Sequence, residues 1–115
     1  MGHLFIAIGA LMAAGAVGAG AFGAHGLAER LDARGLELWE TAARYLMYAA
    51  LGLVAVGTLE RLWAQRLLVF AGWCLLVGAA IFSGTVFALA LGAPRFLGAI
   101  TPLGGLLMIA AFLIV

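Results

Sequence analysis

The chain has 115 residues, of which 67% are hydrophobic and only 10% charged. Soluble chains carry roughly 45–50% and roughly 25%, so this composition could not cover the surface of an ordinary soluble domain. The net charge of +1, with six arginines and no lysine, excludes a nucleic-acid footprint, and the hydrophobicity excludes disorder.

What remains is an integral membrane protein. Ten of the eleven charged side chains fall between Glu29 and Arg66, and the other is Arg95, so residues 1–28, 67–94 and 96–115 carry no charge. A helix crossing a hydrocarbon core about 30 Å thick needs about 20 mostly apolar residues, and each of these stretches supplies them. A fourth apolar run, Tyr45 to Leu59, is only about 22 Å long at ~1.5 Å per residue, unless its helix extends back into the polar segment. A single transmembrane domain, 1–115, is expected, with spans near 4–25, 40–60, 67–91 and 96–115. Barrel strands would read as alternating segments of about 10 residues, whereas these runs are continuous. The expected fold class is all-α: an integral membrane four-helix bundle with a short amphipathic interfacial segment before the second span. The first span has no Lys or Arg before it and is long for a signal-peptide core, so it reads as retained.

In the first span, glycine and alanine dominate from Gly9 to Gly26. Ala16, Gly20 and Gly23 share one face, with Gly15 and Gly18 on the next. Lipid gives helices no hydrophobic reason to associate, so small residues that let backbones approach supply the packing. A seam within the chain is the first reading and a homo-oligomer seam the second. His25 closes the span. His3 stands at its opposite end, so the two histidines cannot share a metal.

The polar segment GLAERLDARGLELWETAAR, 26–44, has helical chemistry. Leu36, Trp39 and Ala43 fall on one side, with Glu37, Glu40 and Arg44 mostly on the other. The helix is expected to run from 36 to 60, with Trp39, Tyr45 and Tyr48 at headgroup depth. Arg44 then lies at the edge of the apolar zone, four residues after Glu40, where it must pair, face the bundle or snorkel.

The third span carries Gly72, Gly78 and the triplet Ser83–Gly84–Thr85, small and polar enough to pack or hydrogen-bond across helices. Cys74 has no partner cysteine and reads as a buried small hydrophobe. Gly92–Ala93–Pro94 is a turn. The fourth span holds Thr101, Pro102, Gly104 and Gly105, and Pro102 removes one backbone hydrogen bond within it. The glycines expected to pack helices are Gly20, Gly23, Gly84, Gly104 and Gly105. No acid–histidine–nucleophile set or metal-ligand spacing is legible, so no enzyme, metal or cofactor is expected. The arginines near the span ends number four on the side of the first and third loops and two on the other. The count falls to three against two if Arg44 is embedded, a weak preference for the first loop in the cytoplasm.

GAFGAHGL at 20–27, RYLMY at 44–48, FSGTVFALAL at 82–91 and ITPLGG at 100–105 together resemble the YgdD-like small inner-membrane proteins. This is a domain family of unknown function with a small eukaryotic transmembrane relative. The resemblance covers nearly the whole chain and implies four spans in the bacterial inner membrane, with both termini on the same, cytoplasmic, side. That orientation runs against the arginine count. The family pattern in the second span is closer to RYQ-x-YH. Leu46 and Ala49 stand here for its glutamine and histidine, so His25 lacks the second-span partner that a metal or proton relay would need.

The residues matching the family, joined by Glu40, suggest one polar intramembrane cluster of His25, Glu40, Arg44, Tyr45, Tyr48, Ser83, Thr101 and Pro102 beside the first and third loops. The expected function is a structural, accessory or lipid-interacting role without catalysis. The rival is a small homo-oligomeric transporter or channel. Membrane lipids are the expected partners, with no nucleic acid.

Overall fold

The computed structural model describes residues 1–115 as four α-helices and no sheet. These are α1 (Gly2–His25), α2 (Ala33–Leu62), α3 (Arg66–Ala90) and α4 (Leu97–Ile114), each long and apolar enough to cross a membrane. An unpaired backbone amide or carbonyl costs several kcal/mol in lipid, and a helix satisfies nearly all of its own. The protein is therefore a multi-pass membrane protein built as an all-α four-helix bundle.

Local chemistry sets the helix boundaries. Asp32 caps α2, its carboxylate accepting a hydrogen bond from the Gly35 amide at 2.7 Å. This cap starts the helix at Ala33 and draws the polar segment into it. Gly35 is thus inside the first turn, with the Ala90 carbonyl 3.4 Å from where a Cβ would stand. The interfacial segment and the second span form one uninterrupted helix, with Glu37, Glu40 and Arg44 exposed and Ala42 and Ala43 buried. At the end of α3 the Ala93 amide reaches back to the Ala88 carbonyl and the Gly92 amide to that of Leu89. This closure needs a left-handed residue, and Gly92 (φ 99°) is the one residue in the chain with positive φ.

Each helix packs mainly on its neighbour in sequence, α1 on α2, α2 on α3 and α3 on α4. The bundle is consequently flattened, about 28 Å by 16 Å across its 47 Å length. α2 and α3 are the inner helices. α1 and α4 turn most of their surface outward, where Leu11, Leu106 and Leu113 are all more than 60% exposed. In a membrane these side chains meet lipid at no cost.

α1 packs through Gly2, Phe5, Gly9, Met12, Ala16, Ala19 and Gly23, spaced alternately by three and four residues. That is the spacing of a helix–helix seam. A Cβ on Gly9 would lie 2.8 Å from the Ala50 carbonyl, and one on Gly57 would strike Gly2 and Ile6. The backbones of α1 and α2 therefore touch. α3 and α4 cross in the same way, at Gly78 and Gly104. The main core, around Phe5, Leu53, Val56 and Leu75, fills the space where α1, α2 and α3 meet and includes buried Cys74.

Both termini lie at one end of the bundle, with the connection between α2 and α3. Gly2 abuts Glu60 and Arg61, and Val115 shares a depression with Trp63 and Gln65. The other two connections share the opposite end.

Candidate functional site

Three polar contacts tie the helices together. The Trp39 indole of α2 donates to the Ala19 carbonyl of α1 at 2.7 Å. Its ring lies over Gly23 and meets the rings of Phe22 and, on α3, Phe87 edge to face. Gly23 is small because Trp39 occupies the space a side chain would need. Ser83, the only buried polar side chain, donates to the Ala42 carbonyl across α3 and α2 at 3.0 Å. The Thr85 and Thr101 hydroxyls lie 2.6 Å apart between α3 and α4. Each also reaches a carbonyl of its own helix, Ile81 or Leu97. Whichever hydroxyl donates to the other, the chain of bonds ends on a helix carbonyl, so the pair is satisfied without water.

The residues expected to form one polar cluster are distributed over several faces. His25 is exposed at the end of α1. Glu40 and Arg44 are exposed and line a shallow depression between α1 and α2 with Ala16, Gly20 and Tyr48. Tyr45 and Tyr48 stack edge to face, and Tyr45 leans on Phe82 at 5.0 Å, on the side of α2 that looks toward α4. Ser83 is sealed between α2 and α3, Thr101 is held by Thr85, and Pro102 points outward from α4. The divergence is helical geometry. Neighbours such as Arg44 and Tyr45 share a depth in the membrane but point about 100° apart.

The packing glycines also divide. Gly23 and Gly104 sit at close helix contacts, and a Cβ on Gly105 would rest an ordinary 3.7 Å from the Phe82 ring. Gly20 and Gly84 need correction: a side chain at either would meet nothing within 4 Å. Gly84 lies on an outer face and Gly20 borders the open depression between α1 and α2, so smallness serves no intrachain contact at either. The packing glycines not singled out are Gly2, Gly9 and Gly57, whose partners only the pairing of α1 with α2 identifies, and Gly52, which is set against Phe112 of α4.

The most enclosed groove, about 420 Å³, lies between α2 and α4 over α3. Tyr45, Phe82, Gly105, Met108 and Phe112 line it. Toward the end of the bundle carrying the first and third connections, a second depression of about 600 Å³ is lined by Arg34, Leu38, Leu89, Ala93, Arg95 and Gly98. The sequence reading did not single out Arg34 and Arg95 as partners, although they approach from two separate connections. No group of three or more His, Cys, Asp or Glu side chains is placed to hold a metal ion.

A family model described as a protein of unknown function (DUF423) matches residues 19–105. The chain belongs to this family. It is 47% identical over 110 residues to a UPF0382 membrane protein of Staphylococcus haemolyticus, covering 96% of this chain and 89% of the relative. It is 42% identical over 113 residues to the UPF0382 membrane protein YwdK of Bacillus subtilis, covering 97% and 92%. No solved structure matches the chain. The DUF423 match takes in all of α2 and α3, the last turns of α1 (19–25) and the first half of α4 (97–105), and with them Arg34, Arg95, Tyr45, Phe82 and Gly105. Phe112 and the first turns of α1 lie outside it. The DUF423 description carries no activity, so any function of the chain has to be argued from its own geometry.

Proposed function

We propose that the protein is a non-catalytic accessory component of the bacterial inner (plasma) membrane that acts through the lipids around it, with both termini on the cytoplasmic side. The observation that carries this reading is the filling of its interior. Every buried side chain is apolar except Ser83, whose hydroxyl is spent on the Ala42 carbonyl, and no buried side-chain nitrogen or oxygen lacks a partner. A solute path would need polar groups facing a passage. Here the interior is closed by apolar side chains and, at the glycines, by touching backbones, and the open space lies in depressions on the outside of the bundle. His25, Glu40 and Arg44 then serve as interface residues, exposed at headgroup depth where charged heads are solvated.

The test is reconstitution of the full chain into sealed vesicles loaded with ion- and pH-sensitive dyes. No flux above protein-free vesicles is expected, and a saturable, protein-dependent flux would replace this reading with the transporter. Orientation is tested with single cysteines in a Cys74→Ala background, labelled by a membrane-impermeant reagent in whole cells with an accessible plasma membrane. A cysteine at Glu29 should label and one at Gln65 should stay protected. The reverse pattern would place the termini outside.

A further inference from the structure

We infer that the groove between α2 and α4 binds one anionic phospholipid, its phosphate between Arg34 and Arg95 and one acyl chain running inward to Phe112. This deepens the accessory reading above and rests on it.

The two depressions follow one another along the same faces of α2, α3 and α4. Along α2, Leu38, Tyr45 and Gly52 are each seven residues apart; along α3, Leu89, Phe82 and Leu75; along α4, Gly98, Gly105 and Phe112. Seven residues are close to two helical turns, so each set shares a face. The sets form three layers. Leu38, Leu89 and Gly98 line the outer depression, and Tyr45, Phe82 and Gly105 the groove. The third layer is the floor, where a Cβ on Gly52 would lie 2.8 Å from the Phe112 ring and 3.3 Å from Leu75. At ~1.5 Å per residue the distance from mouth to floor is about 21 Å. That is half of the ~40–45 Å that a bilayer spans with its headgroups, the length of one lipid in one leaflet.

The chemistry changes along that length as a phospholipid does. The mouth has two arginines and no acid among its six lining residues. Two guanidiniums on one depression leave positive charge that an anion neutralises, and the planar fork of arginine matches phosphate oxygens in pairs. The groove below has six hydrophobic residues among seven. Water gains little there and an acyl chain loses nothing. The glycines of α4 keep the slot open, because at Gly98 and Gly105 no side chain projects into the space.

The experiment is native mass spectrometry of the full chain released from vesicles of phosphatidylethanolamine with a minority of phosphatidylglycerol. One phosphatidylglycerol per chain should be retained. Each arginine near a headgroup surface contributes about a fivefold preference, so Arg34→Gln with Arg95→Gln should reduce the selectivity for phosphatidylglycerol about 25-fold. Gly105→Phe should fill the slot and abolish retention of either lipid. Ile109→Trp, at an exposed groove position, serves the same purpose if Gly105→Phe does not fold. Leu11→Phe on the outer face of α1 should change nothing. Retention and selectivity equal to the parent in the arginine and slot variants would overturn the inference. So would quantitative disulfide formation between copies carrying Ile109→Cys in the Cys74→Ala background, since a second chain would then fill the groove. Solute flux in the same vesicles separates the two levels. Flux ends the accessory reading whatever lipid is bound, whereas unchanged lipid binding without flux removes this inference alone.

Discussion

The two sides of α2 solve opposite problems with the same residue type. Toward α1, glycines at Gly9 and Gly57 bring the backbones together until no side chain fits between them. Toward α4, Gly98 and Gly105 face α2 across open space and keep a groove from closing. What separates the cases is the residue opposite. Gly9 faces the backbone of Ala50 and Val54, whereas Gly105 shares its groove with the large rings of Tyr45 and Tyr48. Tyr45 leans on Phe82 of α3, the helix that α2 and α4 flank, so the space between α2 and α4 stays open above it. A glycine in a membrane helix is thus a permission to approach, and the partner decides whether it is used.

Substitutions along these two surfaces sharpen the contrast. Gly9→Leu should have the largest effect. Its side chain would be driven into the Ala50 carbonyl, an overpacking of about 2–3 kcal/mol or more, read as loss of folded protein by thermal aggregation in detergent. Trp39→Phe removes the donor to the Ala19 carbonyl and should cost about 1 kcal/mol, by denaturant titration in mixed micelles. Ser83→Ala should cost less, about 0.6 kcal/mol, the usual worth of an interhelical hydrogen bond in a membrane protein. An effect as large as that of Gly9→Leu would mean that the α2–α3 contact depends on this bond rather than on packing. Gly20→Ala should be neutral or stabilising by up to about 1 kcal/mol through helix propensity, because its Cβ meets nothing. Destabilisation there would show that the depression between α1 and α2 is packed by another molecule.

Much of the candidate site could be read in part from the chain. Depth was legible: the charges of 29–66 and the turn at Gly92 put Arg44, Tyr45 and Thr101 near the same end of the bundle. Face was not. Arg44 went to the α1 side of α2, Tyr45 to the α4 side, and Thr101 to a partner, Thr85, on α3. The pairing of Arg34 with Arg95 had one trace in the sequence, the seven-residue spacing that links Leu38 to Tyr45 and Gly98 to Gly105. That spacing acquires meaning only once α2 and α4 are known to flank α3.

By itself the sequence determined that this is a helical membrane protein with four spans and that α3 stops at the Gly92 turn, whereas the expected start of α2 at 36 lay three residues past the first residue that the Asp32 cap brings into the helix. The spans and the end of α3 follow from forces acting within one segment: lipid excludes uncharged stretches from water, backbone amides find partners within their own helix, and Gly92 acts on adjacent residues. Tertiary structure alone decided which glycines touch, which polar residues meet and where a groove remains. Rotation of a helix about its axis changes none of its internal hydrogen bonds, so only contact with a neighbouring helix fixes it.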